Sequence, residues 1–282
     1  CIRDRSRETE GYGMNKNAVD KLNERGIKLI ITVDNGIAAA QEVEYASSLG
    51  IDTVITDHHM PSGELPKACA VVDLHRRDCK SRFKNLSGVG VAFKLIMALE
   101  GEYCDTTTLL ENYSDLLSIG TIGDVVELKD ENRVFVKHGL ESITNTDRPG
   151  LQALIKDSGL TGKAISSTNV SFTIVPRINA AGRLGLSEKS VSLLLTEDYE
   201  EADEISSQLC CDNSERQEIE RDILEKIDEI IRRKPSLVND KIIVIDGENW
   251  HQGVIGLIAA KVKEAYGCLL YTSPSPRDMR RS

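Results

Sequence analysis

The run Ile51-Asp52-Thr53-Val54-Ile55-Thr56 stops abruptly at Asp57-His58-His59, and no other stretch constrains the chain as strongly. A short, continuous run of β-branched and apolar residues suits a strand buried inside a parallel sheet. Open parallel sheets place their ligands beyond the carboxyl ends of the strands. Three side chains able to bind a cation or handle a proton would then stand at the mouth of the sheet. Lys28 to Val33 is a second apolar strand, closed by Asp34-Asn35-Gly36, and Ala68 to Asp73 is a third. Ile37 to Leu49 reads as a helix between the first two, with Gly50 as its C-cap. This alternation predicts an α/β fold built on a parallel sheet with right-handed crossovers.

Helices are expected at Asn15 to Arg25, from Ser87 as N-cap to about Leu99, at Leu109 to Gly120, Asn132 to Ile143, Pro149 to Ser158 and Ser190 to Leu195. Glu200 to Arg233 reads as one charged helix whose Ile219, Ile223, Ile227 and Ile230 form an apolar stripe. It would span roughly 50 Å, a length suited to connecting two domains. Lys241 to Asp246 opens a second α/β unit that leads into a helix from Leu257 to Tyr266. The expected organisation is therefore a first α/β domain over 6–198, a connecting helix over 199–236 and the start of a second α/β domain over 237–267. The ends read as non-native. Cys1-Ile2-Arg3-Asp4-Arg5 can be encoded by a string whose reverse complement encodes Cys268-Leu269-Leu270-Tyr271, the signature of a transposase-type sequencing adaptor. Residues 1–5 and 268–282 are accordingly set aside from fold reasoning.

The net charge of −10 argues against non-specific binding of nucleic acid over the whole surface, while leaving room for a local basic groove or a phosphate held through cations. Aromatic residues are only 4% of the chain, so extensive base stacking is not expected. A loop rich in Arg, Lys and Asp runs from Leu74 to Asn85. No apolar run approaches a membrane span. Cys69, Cys79, Cys104, Cys210 and Cys211 lack CxxC spacing and read as reduced thiols of a cytoplasmic protein.

Asp34, Asp57, His58, His59 and Asp124 form the main candidate constellation. Carboxylate oxygen and imidazole nitrogen suit Mn²⁺, Mg²⁺ or Zn²⁺. A pair of such cations can activate a water and stabilise a departing alkoxide, as phosphate ester hydrolysis requires. Each aspartate taken alone could instead cap a turn or helix, and Asp124 lies in the apolar stretch Thr121 to Leu128. Arg177, Asn179 and Arg183 form a second constellation, readable as a phosphate grip or as a structural ion pair. Trp250-His251 with Gly253 and Gly256 is the third, readable as an anion site before a helix or as tight strand-to-helix packing.

Asp57-His58-His59 together with Val33-Asp34-Asn35-Gly36 resembles the DHH phosphoesterase superfamily. Ser87-Gly88-Val89-Gly90-Val91-Ala92-Phe93-Lys94-Leu95, Arg177-Ile178-Asn179-Ala180-Ala181-Gly182-Arg183 and His251-Gln252-Gly253-Val254-Ile255-Gly256 narrow the resemblance to its single-strand-specific 5′→3′ DNA exonucleases. The resemblance spans residues 6–267. It implies two-metal hydrolysis with Mn²⁺ or Mg²⁺, in DNA repair and recombination. Single-stranded DNA would be the substrate, and a single-strand-binding protein and a helicase are partners it suggests. It further implies that Asp34 bridges the metals and that His58 and Asp124 ligate one of them. His59 would contact the scissile phosphate or the attacking water, and Asp57 would orient the histidines. Arg177, Asn179, Arg183, His251 and Gly253 would face the substrate. The family's upstream Asp-x-Asp segment is not in the sequence, which predicts that this chain alone is nearly inactive, and Asp73-Leu74 stands where such proteins often carry Asn-Pro. The competing expectations are a relative acting on short oligonucleotides or cyclic dinucleotides, and a catalytically dead scaffold.

Overall fold

The computed structural model describes residues 13–239, 242–248, 250–267 and 269–272. The expected adaptor-derived residues 1–5, 268 and 273–282 lie outside them. The chain divides into two compact units, Gly13–Val175 and the part from Pro176 onward.

The first unit is built on three parallel strands, β1 (Leu29–Val33), β2 (Asp52–Thr56) and β3 (Ala70–Val72), in that spatial order. Helix α1 (Lys16–Glu24) precedes β1, and its N-cap Asn15 accepts the Ala18 N–H at 2.9 Å. Helix α2 (Ala40–Ser48) crosses from β1 to β2. Its apolar face, with Val43 and Ala46, packs with Val19, Ile51 and Ile55 beneath the sheet. Strand register lines up the carboxyl ends. Val33 pairs with Thr56 and Thr56 with Val72, so the three strands end level. The next residue of each strand is an aspartate: Asp34, Asp57 and Asp73. Two further backbone hydrogen bonds, Asp34 N–H to Thr56 O and Asp57 N–H to Val72 O, both 3.0 Å, hold these three residues in one row. On the edge strand β1, Leu29, Ile31 and Val33 lie on an exposed face, while Ile30 and Thr32 lie on the packed face with Thr53 and Ile55 of β2.

Helices α3 (Gly88–Glu100), α4 (Thr106–Gly123), α5 (Asp130–Thr144) and α6 (Pro149–Asp157) complete most of this unit. Leu86, Val91, Phe93, Leu109, Leu117 and Phe135 form their shared core. Contacts at α4 are close because glycines face it. A Cβ on Gly139 of α5 would lie 2.1 Å from Ser114 O, and one on Gly120 would lie 2.7 Å from Val89 Cγ1. Asp115, buried in α4, accepts the Arg148 Nε–H at 2.8 Å, tying the start of α6 to α4.

Residues 167–183 are continuously helical. A short turn α7 (Ser167–Asn169) passes through a π-helical turn (Val170–Ile174) into α8 (Val175–Arg183). Pro176 has no N–H to donate and would ordinarily break an α-helix. The wider turn accommodates it, since the Val175 N–H reaches back five residues to Val170 O.

In the second unit, α9 (Ser187–Leu195) leads to α10 (Tyr199–Arg233), the long helix anticipated from the isoleucine spacing. Asp198 caps it by accepting the Glu201 N–H at 2.8 Å. Ile223, Ile227 and Ile231 pack against Ile243 and Ile245 of β4 (Ile242–Ile245) and Val254, Ile258 and Val262 of α11 (Gln252–Tyr266). The C-terminal part of α10 is thus core of this unit. Buried Glu220 receives Arg216 at 2.7 Å and also pairs with Lys261 of α11. Helix α11 starts five residues earlier than the sequence suggested, because His251 caps it through Nδ1 to the Gly253 N–H at 3.2 Å. Strand β5 (Leu269–Thr272) pairs in parallel with β4 and falls within the stretch expected to be non-native. Among the described residues, no helix is long and apolar enough to cross a membrane.

Candidate metal centre

Asp34 follows the last residue of β1 in a left-handed backbone conformation, φ 61°. Asn35 closes the turn by donating its side-chain amide to Val33 O at 2.9 Å. Asp57 follows β2 and is almost fully buried. Its Oδ2 accepts the Ile37 N–H at 2.9 Å. Its Oδ1 accepts the N–H groups of His58 at 2.8 Å and His59 at 3.2 Å, and lies 2.7 Å from His59 Nδ1. Four donors surround this one carboxylate. It fixes the turn that aims both histidines and leaves little oxygen free to bind anything else.

His58 is oriented from the other side. Its Nδ1 lies 3.1 Å from Leu86 O. A carbonyl oxygen only accepts, so Nδ1 carries the proton and the neutral ring presents the Nε2 lone pair. Nε2 lies 3.0 Å from Asp34 Oδ1 and 3.4 Å from Asp124 Oδ2. It is buried and close enough to Asp34 for that carboxylate to favour a proton on it, yet no group around it meets it in well-aligned hydrogen-bonding geometry. A buried lone pair facing two carboxylates is an arrangement that a cation would satisfy. Asp34, His58 and His59 also offer ligand atoms all within 4.8 Å of one another. The donor set, carboxylate oxygens with imidazole nitrogen, fits Mn²⁺ or Mg²⁺ chemistry. Without that cation, Asp34 in first place, with Asp124 and Asp57 adding, raises the His58 pKa above its ordinary 6.5 although burial opposes this. Burial raises the Asp124 carboxyl, Asp34 adding to the effect and His58 opposing it.

Asp124 is the C-cap of α4, which delivers it to the sheet edge beside the start of α3. Capping and facing the site are therefore compatible at this residue. The start of α3 supplies two features that the sequence reading did not assign to the site. Leu86 O sets the His58 tautomer, and Gly88 leaves room for Asp34. A Cβ on Gly88 would lie 2.3 Å from Asp34 Oδ1. In the sequence this stretch stood out as the segment Ser87 to Leu95 that carries part of the family resemblance, with no indication of what it faces. Asp73 ends the row at β3. Its Oδ1 accepts the His75 N–H at 2.7 Å, its Oδ2 is buried without a partner, and burial raises its pKa.

The structure thus brings together Asp34, Asp57, His58, His59 and Asp124. Arg177, Asn179, Arg183, His251 and Gly253 belong to the second unit. Within it, Arg183 Nη1 donates to Gly253 O at 3.2 Å. A Cβ on Gly253 would lie 2.1 Å from Arg183 O. Gly253 therefore permits close packing of α8 on α11. Asn179 is exposed, and Arg177 is half-buried.

A profile of the DHH family, N-terminal domain, matches residues 2–121. The single-stranded-DNA-specific exonuclease RecJ of Bacillus subtilis (strain 168) is 41% identical over 257 residues, covering 91% of this chain and 32% of that protein. Exonuclease RecJ bound to manganese superposes with a TM-score of 0.80 at 34% identity, covering 96% of this chain and 69% of that one. RecJ from Thermus thermophilus in complex with Mn²⁺ gives a TM-score of 0.78 at 33% identity, covering 90% and 38%. Its complex with Mg²⁺ gives 0.62 at 28%, covering 91% and 42%. The chain spans between 32% and 47% of the length of the first curated relatives it matches.

Proposed function

This chain belongs to the DHH family, and from that premise we propose that it forms the catalytic part of a RecJ-type exonuclease, releasing nucleotides from single-stranded DNA in the 5′→3′ direction. One observation carries the reading: the buried Nε2 of His58, its tautomer set by Leu86 O, faces Asp34 and Asp124. Those three residues would hold Mn²⁺ or Mg²⁺. When bound, the metal supplies positive charge that polarises a phosphoryl oxygen and acidifies the attacking water.

The remaining roles fall to the chain itself. Asp57 holds the His58-His59 turn through its four donors, acting as a positioning residue. His59 keeps Nδ1–H on Asp57, so its exposed Nε2 accepts a proton or, once protonated, donates to a phosphate oxygen. Asp34 and His59 are half-exposed, which leaves them reachable by the end of a strand. Arg177, Asn179, Arg183, His251 and Gly253 are assigned to gripping the DNA backbone, Arg183 and Gly253 through the packed turn they share. The corresponding cellular setting is DNA repair and recombination in the cytoplasm, with a single-strand-binding protein and a helicase as partners.

Mn²⁺ calorimetry combined with end-labelled oligonucleotides tests this reading. The wild-type chain should bind Mn²⁺, and Asp34→Ala and His58→Ala should each weaken binding. Hydrolysis, however slow, should release nucleotides from the 5′ end of single strands. Mn²⁺ binding indifferent to both substitutions, or equal cutting of duplex, would overturn it.

A further inference from the structure

The ten residues His75 to Lys84 carry five Arg or Lys side chains and one acidic side chain, Asp78, in a chain whose net charge is −10. A charge run by itself is a solvated surface. Here the structure sorts the cations into two kinds. Arg76 and Lys84 are used to build the loop. Arg76 donates to Val71 O and forks onto Asp78 at 3.0 and 2.6 Å. Lys84 donates to Cys79 O at 2.8 Å. Arg77, Lys80 and Arg82 are exposed, and among the described residues none of them has a hydrogen bond or ion pair. The loop is fixed while three of its charges remain unmatched.

The anchoring of the loop's two ends keeps those charges in the neighbourhood of the metal centre. The loop leaves from Asp73, the third member of the aspartate row, whose side chain pins the His75 N–H. It returns at Asn85, whose carbonyl accepts the Asn132 side-chain amide at 2.7 Å, and then at Leu86, whose carbonyl orients His58. Phe83 packs into the core shared by α3, α4 and α5. Both ends of the loop are therefore anchored beside the metal centre. At about 3.5 Å per extended residue, Arg77 lies within about 14 Å of Asp73, and Arg82 within about 14 Å of Leu86.

We propose that Arg77, Lys80 and Arg82 form a track for the phosphate backbone of single-stranded nucleic acid leading to the Asp34–His58–Asp124 centre. This rests on the reading of that centre as a phosphodiesterase site and names how its substrate is held. Three separated cations on an ordered loop contact phosphates without reading bases, so the grip is independent of sequence. Because the rest of the molecule is acidic, they concentrate the attraction for a polyanion at the edge where hydrolysis takes place. The ordered backbone lowers the entropy lost on binding.

The test is the salt dependence of binding to a fluorescent oligothymidylate, by anisotropy in EDTA, so that nothing is cut. Neutralising three phosphate contacts with single strands should reduce the slope of log affinity against log salt by about 2. The variant carrying Arg77→Gln, Lys80→Gln and Arg82→Gln should show that reduction, with its melting temperature and Mn²⁺ affinity unchanged. A control carrying Arg221→Gln, Lys226→Gln and Arg232→Gln on α10 should keep the wild-type slope. An unchanged slope in the loop variant, an equal loss in the control, or no binding by wild type would each overturn the track. Mn²⁺ affinity reports separately on the metal centre. A wild-type chain that fails to bind Mn²⁺, while the slopes behave as expected, would remove the catalytic reading and leave the track in place.

Discussion

Gly88 and Asp34 share one small volume, and only one of them can have a side chain there. With a Cβ on residue 88, Asp34 Oδ1 would sit 2.3 Å away and its Cβ and Cγ 2.6 Å away. Alanine is otherwise the better helix former at this position by roughly 1 kcal/mol. Gly88→Ala should nonetheless cost some stability, about 1–3 kcal/mol, and push Asp34 out of place. Mn²⁺ affinity, read by calorimetry, should fall about 10–100-fold, the range for a mispositioned ligand; unaltered affinity would show that Asp34 is not a ligand. Val125, next to Asp124, makes the opposite case. It adopts φ 57° after the C-cap of α4 and is 86% exposed. A left-handed conformation costs a residue with a Cβ roughly 1–2 kcal/mol, and glycine is the usual occupant after a helix. Val125→Gly should raise the melting temperature by several degrees in a thermal scan. Asp57, His58 and His59 were legible in the sequence because they are contiguous at a strand end. Gly88 and Leu86 were not, because their parts are played by an absent Cβ and a backbone carbonyl, which leave no residue-type signature.

At the scale of elements, α4 determines whether the centre exists, since it carries Asp124 at its C-terminus. Its position is set by contacts that allow no extra atom. Gly139 of α5 faces Ser114 O and Ser118 Cβ, which a new Cβ would approach to 2.1 and 2.2 Å. Gly139→Ala should thus separate two helices rather than fill a gap, at a cost of about 1–3 kcal/mol. Urea unfolding would measure that loss, and Mn²⁺ affinity should drop with it as Asp124 shifts. The strand alternation, Ser87 as N-cap, Pro149 at the start of α6 and the isoleucine stripe of α10 could all be read directly, since each is a local pattern. Two elements could not. Pro176 gives no local cue to a helix, and the π-helical turn that absorbs it packs against α4, with Val175 against Gly123. The start of α11 was hidden by Gly253 and Gly256, whose low helix propensity is overridden by the His251 cap and the burial of Val254 and Ile258.

At the scale of the whole molecule, the proposed metal ligands Asp34, His58 and Asp124 all belong to Gly13–Val175, while the residues from Pro176 onward form a second compact unit. A ligand that binds only the folded state stabilises it by about 2.7 kcal/mol at a hundredfold excess over its dissociation constant. The gain is felt where the ligand's contacts must break for an amide to open. Mn²⁺ should therefore slow hydrogen exchange at the ends of β1 and β2, at the start of α3 and in the last turns of α4. Amides of α10, β4 and α11 should exchange at their metal-free rates. EDTA should reverse the change, and His58→Ala should abolish it. Equal protection of α10 and α11 would mean that the effect of the metal is not confined to Gly13–Val175, and the assignment of its ligands to that unit alone would fail.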